Sequence, residues 1–248
     1  MRFLAVALAL AVTPACAADN LYPLYAAGRY DDAIRAGTEA GSAEGFAIAA
    51  RAVMAQAAMQ PQPCLPCLQR AEAFARQSVA ADNAYPDGHV WLAATLGLEG
   101  RIQGMIRARA NVGVAKTQLE MVLRSDPRHA FALAGMGAWN IEIVRGGGAL
   151  LAGLIYGARE ADGLALFDRA VQAAPDNVAV RYQIALSLAG YQPEKFHARI
   201  AQDLDAAIHS APQTEYEKFI QARAADLLQA QGNDAAFAAK VHQFQGYP

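Results

Sequence analysis

The sequence predicts an all-α fold, specifically an α-solenoid of irregular antiparallel helix pairs. Helical periodicity dominates the chain, and no segment alternates apolar and polar residues as a strand would. Three prolines, Pro127, Pro175 and Pro212, each follow an amphipathic run, and proline ends a helix. Small residues recur before and after these prolines, and small side chains let two helices approach closely. Together these marks indicate a repeated helix pair, an architecture that more often holds partners than performs chemistry.

The first 17 residues are typical of a signal peptide. Arg2 precedes an apolar run over residues 3–12, and Ala15-Cys16-Ala17 is a cleavage pattern. The apolar run is too short to span a bilayer, which takes about 20 residues. We therefore expect export to a bacterial periplasm. Lipid anchoring at Cys16 is the alternative, but a lipobox would have an apolar residue where Thr13 stands.

Charge and composition exclude several function classes. The formal net charge is −2, and no basic stripe or patch indicates nucleic acid or anionic lipid as a partner. The hydrophobic fraction of 54% reflects alanine-rich helices and predicts no transmembrane segment in the mature chain. Because no glycine- and serine-rich linker interrupts residues 18–248, we expect one helical domain.

The helices can be placed in chain order from their periodicity. Gly28 favours a left-handed turn between two short helices, and Asp31 or Asp32 suits the start of the second. Further helices are predicted over 43–59, 65–82, 86–99, 102–125, 129–143, 160–174, 177–190, 194–210, 214–231 and 233–244. The longest of these, 102–125, has Ile102 on its predicted buried face. Trp91 and Trp139 fall inside helices and are predicted to belong to the core.

Three stretches resemble the tetratricopeptide repeat. Residues 28–34 (Gly-Arg-Tyr-Asp-Asp-Ala-Ile) look like its central turn, and residues 119–127 and 167–177 look like its second helix and exit turn. The tryptophan usual in the first helix is absent, and Asn83 stands where an exit proline is expected. Successive exits lie 44, 48 and 37 residues apart, against 34 in the family. The repeats are therefore degenerate.

The whole chain further resembles two groups that contain such repeats. They are the tetratricopeptide accessory proteins of tripartite ATP-independent periplasmic transporters and the regulator-of-microtubule-dynamics family. Residues 125–139, which begin Ser-Asp-Pro-Arg-His, carry the second resemblance. The resemblance implies a binding protein, and it transfers no catalytic residue to this chain.

Cys64-Leu65-Pro66-Cys67 is the sharpest local motif. A redox role would require a βαβ context that the helical pattern lacks, and a zinc site would require two further ligands. In an oxidising compartment the remaining interpretation is a local disulfide, which would fix the start of the 65–82 helix. Redox or metal chemistry stays the alternative, and we predict neither cofactor nor metal.

A glycine-rich insert interrupts the repeats at residues 145–157. Its three consecutive glycines, 146–148, precede no Lys-Ser/Thr and follow no strand, so a phosphate loop is not indicated. One interpretation is a flexible connection to a short apolar helix that plugs the core. The other is a mobile lid with glycine hinges over a hydrophobic groove.

The resemblance implies that the first helix of each pair forms a concave surface. Alignment on the exit prolines places nine residues there: Phe131, Ala134, Ala138, Glu142, Tyr182, Leu186, Tyr216, Phe219 and Arg223. This surface is apolar and aromatic, which suits a peptide or partner helix. Alternatively, the irregular repeats curl shut and bury these residues.

We therefore expect an exported, non-enzymatic scaffold that binds a protein or peptide through its concave face, with a transporter component among the candidate partners. The alternative is a periplasmic accessory protein that holds a small apolar solute for a transporter. An enzyme is not indicated, because no nucleophile–base pair or paired carboxylates can be recognised.

Overall fold

The computed structural model describes residues 21–246, apart from the side chains of residues 105–108. This part of the chain contains twelve α-helices and no strand, which confirms the all-α prediction. The predicted signal peptide (1–17) and Cys16 lie outside the described residues. The helices are α1 (Tyr22–Ala26), α2 (Tyr30–Ala40), α3 (Ala43–Met59), α4 (Leu65–Ala81), α5 (Pro86–Gln103), α6 (Met105–Ser125), α7 (Ala130–Leu151), α8 (Glu160–Ala173), α9 (Val178–Ala189), α10 (His197–His209), α11 (Glu215–Ala230) and α12 (Asp234–Gln245).

Several helices begin at a polar residue that caps their first turn. The Ser42 hydroxyl accepts from the backbone N–H of Gly45 at 3.0 Å, and the Asn177 amide oxygen accepts from that of Val180 at 2.9 Å. Thr214 caps α11 in the same way. Such a cap satisfies one of the N–H groups that have no partner within the helix. These caps explain why predicted and observed starts agree within a few residues.

The helices pack in two layers. The odd-numbered helices contact one another in succession, from α1 with α3 to α9 with α11. Each even-numbered helix from α2 to α10 packs against the helix that precedes it and the one that follows it. This is the contact pattern of stacked helix pairs. The α-solenoid of irregular helix pairs stays a prediction.

The two ends of the inner layer meet. Arg223 on α11 donates from Nη2 to the carbonyl oxygen of Ala58 near the end of α3, at 2.9 Å. A Cβ added to Gly28, in the turn after α1, would lie 3.0 Å from the Cβ of Glu215 at the start of α11. Tyr216 packs against the core cluster formed by α1 to α4. The odd-numbered helices therefore surround a central space.

Two predicted boundaries are wrong, and glycines explain both. Gly104 has a φ of 79°, which separates α5 from α6, so Ile102 belongs to α5 and not to the predicted 102–125 helix. The predicted 129–143 helix continues to Leu151 and is the longest, at 22 residues. Its glycine run stays helical until Gly148, where a φ of 71° kinks the chain. Glycine lowers helix stability by only about 1 kcal/mol relative to alanine.

The insert does not plug the core, so that interpretation is wrong. A π-helical turn follows α7 over Ala152–Tyr156. The large apolar side chains of the segment are exposed: Leu150 by 75%, Leu151 by 55%, Leu154 by 75% and Ile155 by 65%. Only the small side chain of Ala152 is fully buried there. The kink at Gly148 bends the segment, so its large residues point away from the core.

Among the described residues, no single helix has both the length and the apolar character needed to cross a membrane. One pair of helical segments, Ala130–Tyr156 and Glu160–Ala173, is together long and apolar enough to cross a membrane, but its two members are bent by 92° relative to each other.

Candidate functional site

A cavity of about 420 Å³ lies at the centre of the inner helix layer. Every odd-numbered helix contributes to its wall, together with α6, α12 and the π-helical turn. Most of the wall is apolar, with alanine, leucine, valine and aromatic side chains. Alanine-rich helices leave space between them because their side chains are short. The cavity is therefore a consequence of the alanine content and of the meeting of α11 with α3.

Eight of the nine predicted concave residues line this cavity: Phe131, Ala134, Ala138, Glu142, Tyr182, Leu186, Tyr216 and Arg223. Phe219 does not line it. Its ring centroid lies 6.2 Å from that of Tyr216, and the Arg223 guanidinium lies 4.5 Å from the Phe219 ring centroid. Ala134, Tyr182 and Leu186 are buried, and the other six are half-buried. The role of these nine residues in binding stays a prediction.

Arg51 on α3 enters the cavity wall and was not predicted. Its guanidinium lies 4.3 Å from the ring centroid of Tyr25 and 5.0 Å from that of Trp91. The rings of Tyr22 and Phe131 follow at 5.6 and 5.7 Å. Each distance is within the range of a cation–π interaction. One sequence signal could have identified Arg51, because it is the only charged residue between Gly45 and Met59.

A second guanidinium lies near Arg51. Arg223 lies 4.7 Å from the ring centroid of Phe244, in addition to its contact with Phe219. Both arginine charges act on the hydroxyl of Tyr216, where they oppose the increase in pKa that burial causes. Arg51 and Arg223 therefore belong to the same end of the cavity. We call this end the arginine end and define it by Arg51, Arg223, Tyr25, Tyr182 and Tyr216.

Two residues that line the cavity each have a buried polar atom with no hydrogen-bond partner within the described part of the chain. The atoms are the hydroxyl of Tyr182, a residue with 6% of its surface exposed, and Nε1 of Trp91. Burial raises the pKa of Tyr182 in spite of the opposing effect of Arg223, so the hydroxyl keeps its proton at neutral pH. A folded protein leaves few buried polar atoms without a partner. Both atoms are hydrogen-bond donors.

Trp91 packs against the core cluster as predicted, but it also forms part of the cavity wall. It is half-buried. Trp139 also lines the cavity, but it is buried and its Nε1 donates to the carbonyl oxygen of Val112 at 3.0 Å. The sequence contains two tryptophans, so both of its indole fluorophores are in the cavity wall.

Glu142 lies at another part of the wall with arginine partners. Its Oε1 is 3.0 Å from Nη2 of Arg101, and its Oε2 is 2.8 Å from Nη2 of Arg145. Arg101 has 11% of its side chain exposed. Glu142 thus has two arginine partners, whereas no carboxylate among the described residues lies within 4.0 Å of the Arg51 guanidinium.

The motif with the cysteines lies outside the cavity wall. Cys64 and Cys67 form a disulfide, with sulfur atoms 1.93 Å apart, which confirms the predicted pairing. Cys64 Sγ also accepts from the backbone N–H of Cys67, at 3.2 Å, and thereby caps α4. Within residues 21–246, no group of three or more histidine, cysteine or carboxylate side chains is placed to hold a metal ion.

A scan against models of known protein families finds no match to this chain, and a search among curated proteins finds no significant relative. The resemblance to tetratricopeptide accessory proteins therefore stays a prediction. Function must be inferred from the cavity and its residues.

Proposed function

We propose that this protein binds a small, largely apolar molecule in its central cavity and acts as a non-enzymatic binding protein in the periplasm. The observation that supports this most strongly is the cavity itself. Its volume of about 420 Å³ falls within the range of known ligand sites, roughly 300–1,000 Å³. A predominantly apolar wall with a few polar groups is also typical of such sites.

This proposal takes the solute-binding alternative in preference to a peptide groove. A groove that accepts a peptide would expose its aromatic residues in the free protein. Here Tyr182 and Leu186 are 6% and 4% exposed, and they face a cavity that spans the inner helices. Burying a ligand's apolar surface there gains about 25 cal/mol for each Å² removed from water.

The first test is binding of a neutral apolar probe, N-phenyl-1-naphthylamine, to the full mature chain. We expect saturable binding with a change in the emission of Trp91 and Trp139. Ala138→Leu, which adds bulk to the cavity wall, should weaken binding. Ala222→Leu adds the same bulk at an exposed position of α11 outside the wall and should leave binding unchanged. Equal affinity in all three proteins would contradict the cavity as the site.

A second candidate function, binding of a protein partner, is favoured by one separate observation. The exposed apolar patch formed by Leu150, Leu151, Leu154 and Ile155 lies in a single segment. Exposed apolar surface of this kind marks contacts with proteins or membranes, and we take the protein contact as the candidate. A transporter component is the partner class that the sequence resemblance implies.

Substitution of Leu150 and Leu154 by serine tests this second function. We expect the double variant to keep probe binding, because neither residue lines the cavity, and to lose crosslinking to the partner in the native cell envelope. Retained crosslinking would show that this patch does not bind the partner.

A further inference from the structure

We infer that the ligand is an amphiphile with one oxyanion head, a carboxylate or a phosphate, bound at the arginine end, and with an apolar tail along the rest of the cavity. This inference rests on the proposed function and adds the chemical class of the ligand. It follows from the charge and hydrogen-bonding state of Arg51, Arg223 and Tyr182.

Arg51 is a cation placed in the cavity wall without a neutralising partner. No carboxylate among the described residues lies within 4.0 Å of its guanidinium nitrogens, whereas Arg101 and Arg145 both pair with Glu142. Aromatic rings surround Arg51 on several sides. They offset part of the cost of removing the charge from water, and the Tyr25 hydroxyl also interacts with Arg51, which opposes the increase in the pKa of Tyr25 that burial causes. The N–H groups of the guanidinium remain suited to a planar oxyanion.

Arg223 and Tyr182 supply further donors at the same end. Arg223 uses Nη2 for the Ala58 carbonyl oxygen, and the guanidinium fork carries five N–H groups in all. The Tyr182 hydroxyl has no partner in the described structure. Because Arg51 and Ala58 are seven residues apart on α3, they lie on the same side of that helix. Residues with these donor groups on α3, α9 and α11 therefore line the same cavity.

Glu217 is the carboxylate at the arginine end, and its hydrogen bond is made to the backbone. Glu217 lines the cavity and its carboxylate acts on the hydroxyl of Tyr25. Its Oε2 accepts from the backbone N–H of Gln213, in the turn before α11, and no arginine among the described residues is within 4.0 Å of it. Two guanidinium groups and one carboxylate leave a positive balance at the arginine end. The wall around Glu142 is also positive, with Arg101, Arg109 and Arg145, but two of those arginines pair with Glu142 and Arg109 is exposed, whereas Arg51 is half-buried. A cationic head would be repelled at the arginine end, and a neutral head would leave Arg51 without an anion.

The test compares three probes with the same ten-carbon tail: decanoate, decyl phosphate and decanol. Binding is measured at neutral pH, below the concentration at which free probe aggregates, by displacement of N-phenyl-1-naphthylamine and by tryptophan emission. One charge-assisted hydrogen bond corresponds to roughly a tenfold or larger change in affinity. We expect at least one anionic probe to bind roughly tenfold or more tightly than decanol. The better of the two identifies the head as carboxylate or phosphate.

Arg51→Met removes the charge but keeps a long apolar side chain. We expect it to abolish the preference for the anionic probe and to leave decanol affinity within about twofold. Arg70→Met is the matched control, because Arg70 is exposed, lies outside the cavity wall and makes a comparable cation–π contact with Phe74. The control should keep the full preference. If Arg51→Met does not fold, the comparison of the three probes on the wild-type protein still tests whether the ligand has an oxyanion head.

The outcomes separate the inference from the proposed function. Equal binding of decanol and both anions would overturn the oxyanion head and leave the small-molecule cavity in place. A preference that persists in Arg51→Met and in Arg223→Met would also overturn it. Binding of none of the probes, including N-phenyl-1-naphthylamine, would overturn the proposed function and this inference together.

Discussion

At the scale of single residues, the informative atoms are buried polar atoms that lack a partner. Within the described residues these are Tyr30 Oη, Trp91 Nε1, Glu99 Oε1 and Tyr182 Oη. Two of them belong to residues that line the cavity, Trp91 and Tyr182. Glu99 lies outside the cavity wall. Its burial affects how the stability of the protein depends on pH.

Replacing Tyr182 with phenylalanine separates folding from binding. We expect the free energy of unfolding to stay within about 0.5 kcal/mol of wild type or to rise, because removing this hydroxyl breaks no hydrogen bond. Affinity for the anionic probe should fall. Tyr182→Ala is less informative, since truncating a buried aromatic costs roughly 3–5 kcal/mol. Urea denaturation provides the measurement, and a loss of more than 1 kcal/mol in Tyr182→Phe would show that the hydroxyl is already bonded.

Glu99 should make stability depend on pH. Burial, followed by the neighbouring carboxylate of Glu72, raises the pKa of Glu99 from 4.5 to about 7. The folded state then binds one more proton than the unfolded state between these pH values. This contribution to stability is fully present below pH 4.5, falls as pH rises, and is lost above about 7.

Glu99→Gln tests this dependence, because an amide resembles the protonated carboxyl group and cannot ionise. We expect the variant to be more stable than wild type at pH 8 and to lose part of the decline between pH 5 and 7. Glu120→Gln is the control, since half of the Glu120 side chain is exposed. The same slope in Glu99→Gln and wild type would show that Glu99 does not carry the effect.

At the scale of helices, glycine sets how closely pairs approach. A Cβ on Gly37 of α2 would lie 2.3 Å from the carbonyl oxygen of Gly45 on α3. A Cβ on Gly137 of α7 would lie 2.5 Å from ring carbons of Phe167 on α8. The α7–α8 contact occurs within a predicted helix pair, and the α2–α3 contact joins two successive pairs. The pairs therefore depend on the absence of a side chain at these positions.

Two alanine substitutions should have opposite effects on stability. Gly37→Ala should lower the free energy of unfolding by roughly 1–3 kcal/mol, because backbone atoms must move to admit the methyl group. Gly113→Ala should raise it by up to about 1 kcal/mol, because Gly113 is inside α6 and a Cβ there meets nothing within 4 Å. Thermal and urea denaturation measure both. The interpretation of the α2–α3 contact would be wrong if Gly37→Ala were also stabilising.

At the scale of the whole molecule, the meeting of α11 with α1 and α3 surrounds the cavity. The hydrogen bond from Arg223 to Ala58 joins residues 165 positions apart in the chain. Gly28 supports the same contact by allowing Glu215 to approach the turn after α1. Without this contact the inner helices would form an open curve.

Arg223→Met should loosen this closure. We expect faster amide hydrogen exchange at the end of α3 and weaker binding of N-phenyl-1-naphthylamine, since the cavity opens to water. Lys240→Met serves as the control, because Lys240 on α12 pairs with Asp226 and lies outside the cavity wall. Unchanged exchange at residues 54–59 in Arg223→Met would show that other contacts hold α11 in place.

Much of the fold followed from local pattern. The helix pairs from α2 to α12 were predicted to within a few residues, except where Gly104 and Gly148 moved a boundary. Eight of the nine predicted inner residues line one cavity, because their spacing of three, four or seven residues places them on one helix face. A helical period is a short-range property, so one sequence is enough to detect it.

The closure of the inner layer and the environment of Arg51 required the tertiary structure. A lone arginine in an alanine-rich helix is compatible with a solvated position, an ion pair or a ligand site, and its own helix does not distinguish them. The rings around Arg51 come from α1, α5 and α7. The exposure of Leu150 and Leu154 likewise depends on a kink at one of three consecutive glycines. The sequence alone thus determined the helices and their inner faces, because these depend on neighbours within about two turns. The cavity and its unpaired charge arise from contacts between distant segments, and the helical period carries no information about those contacts.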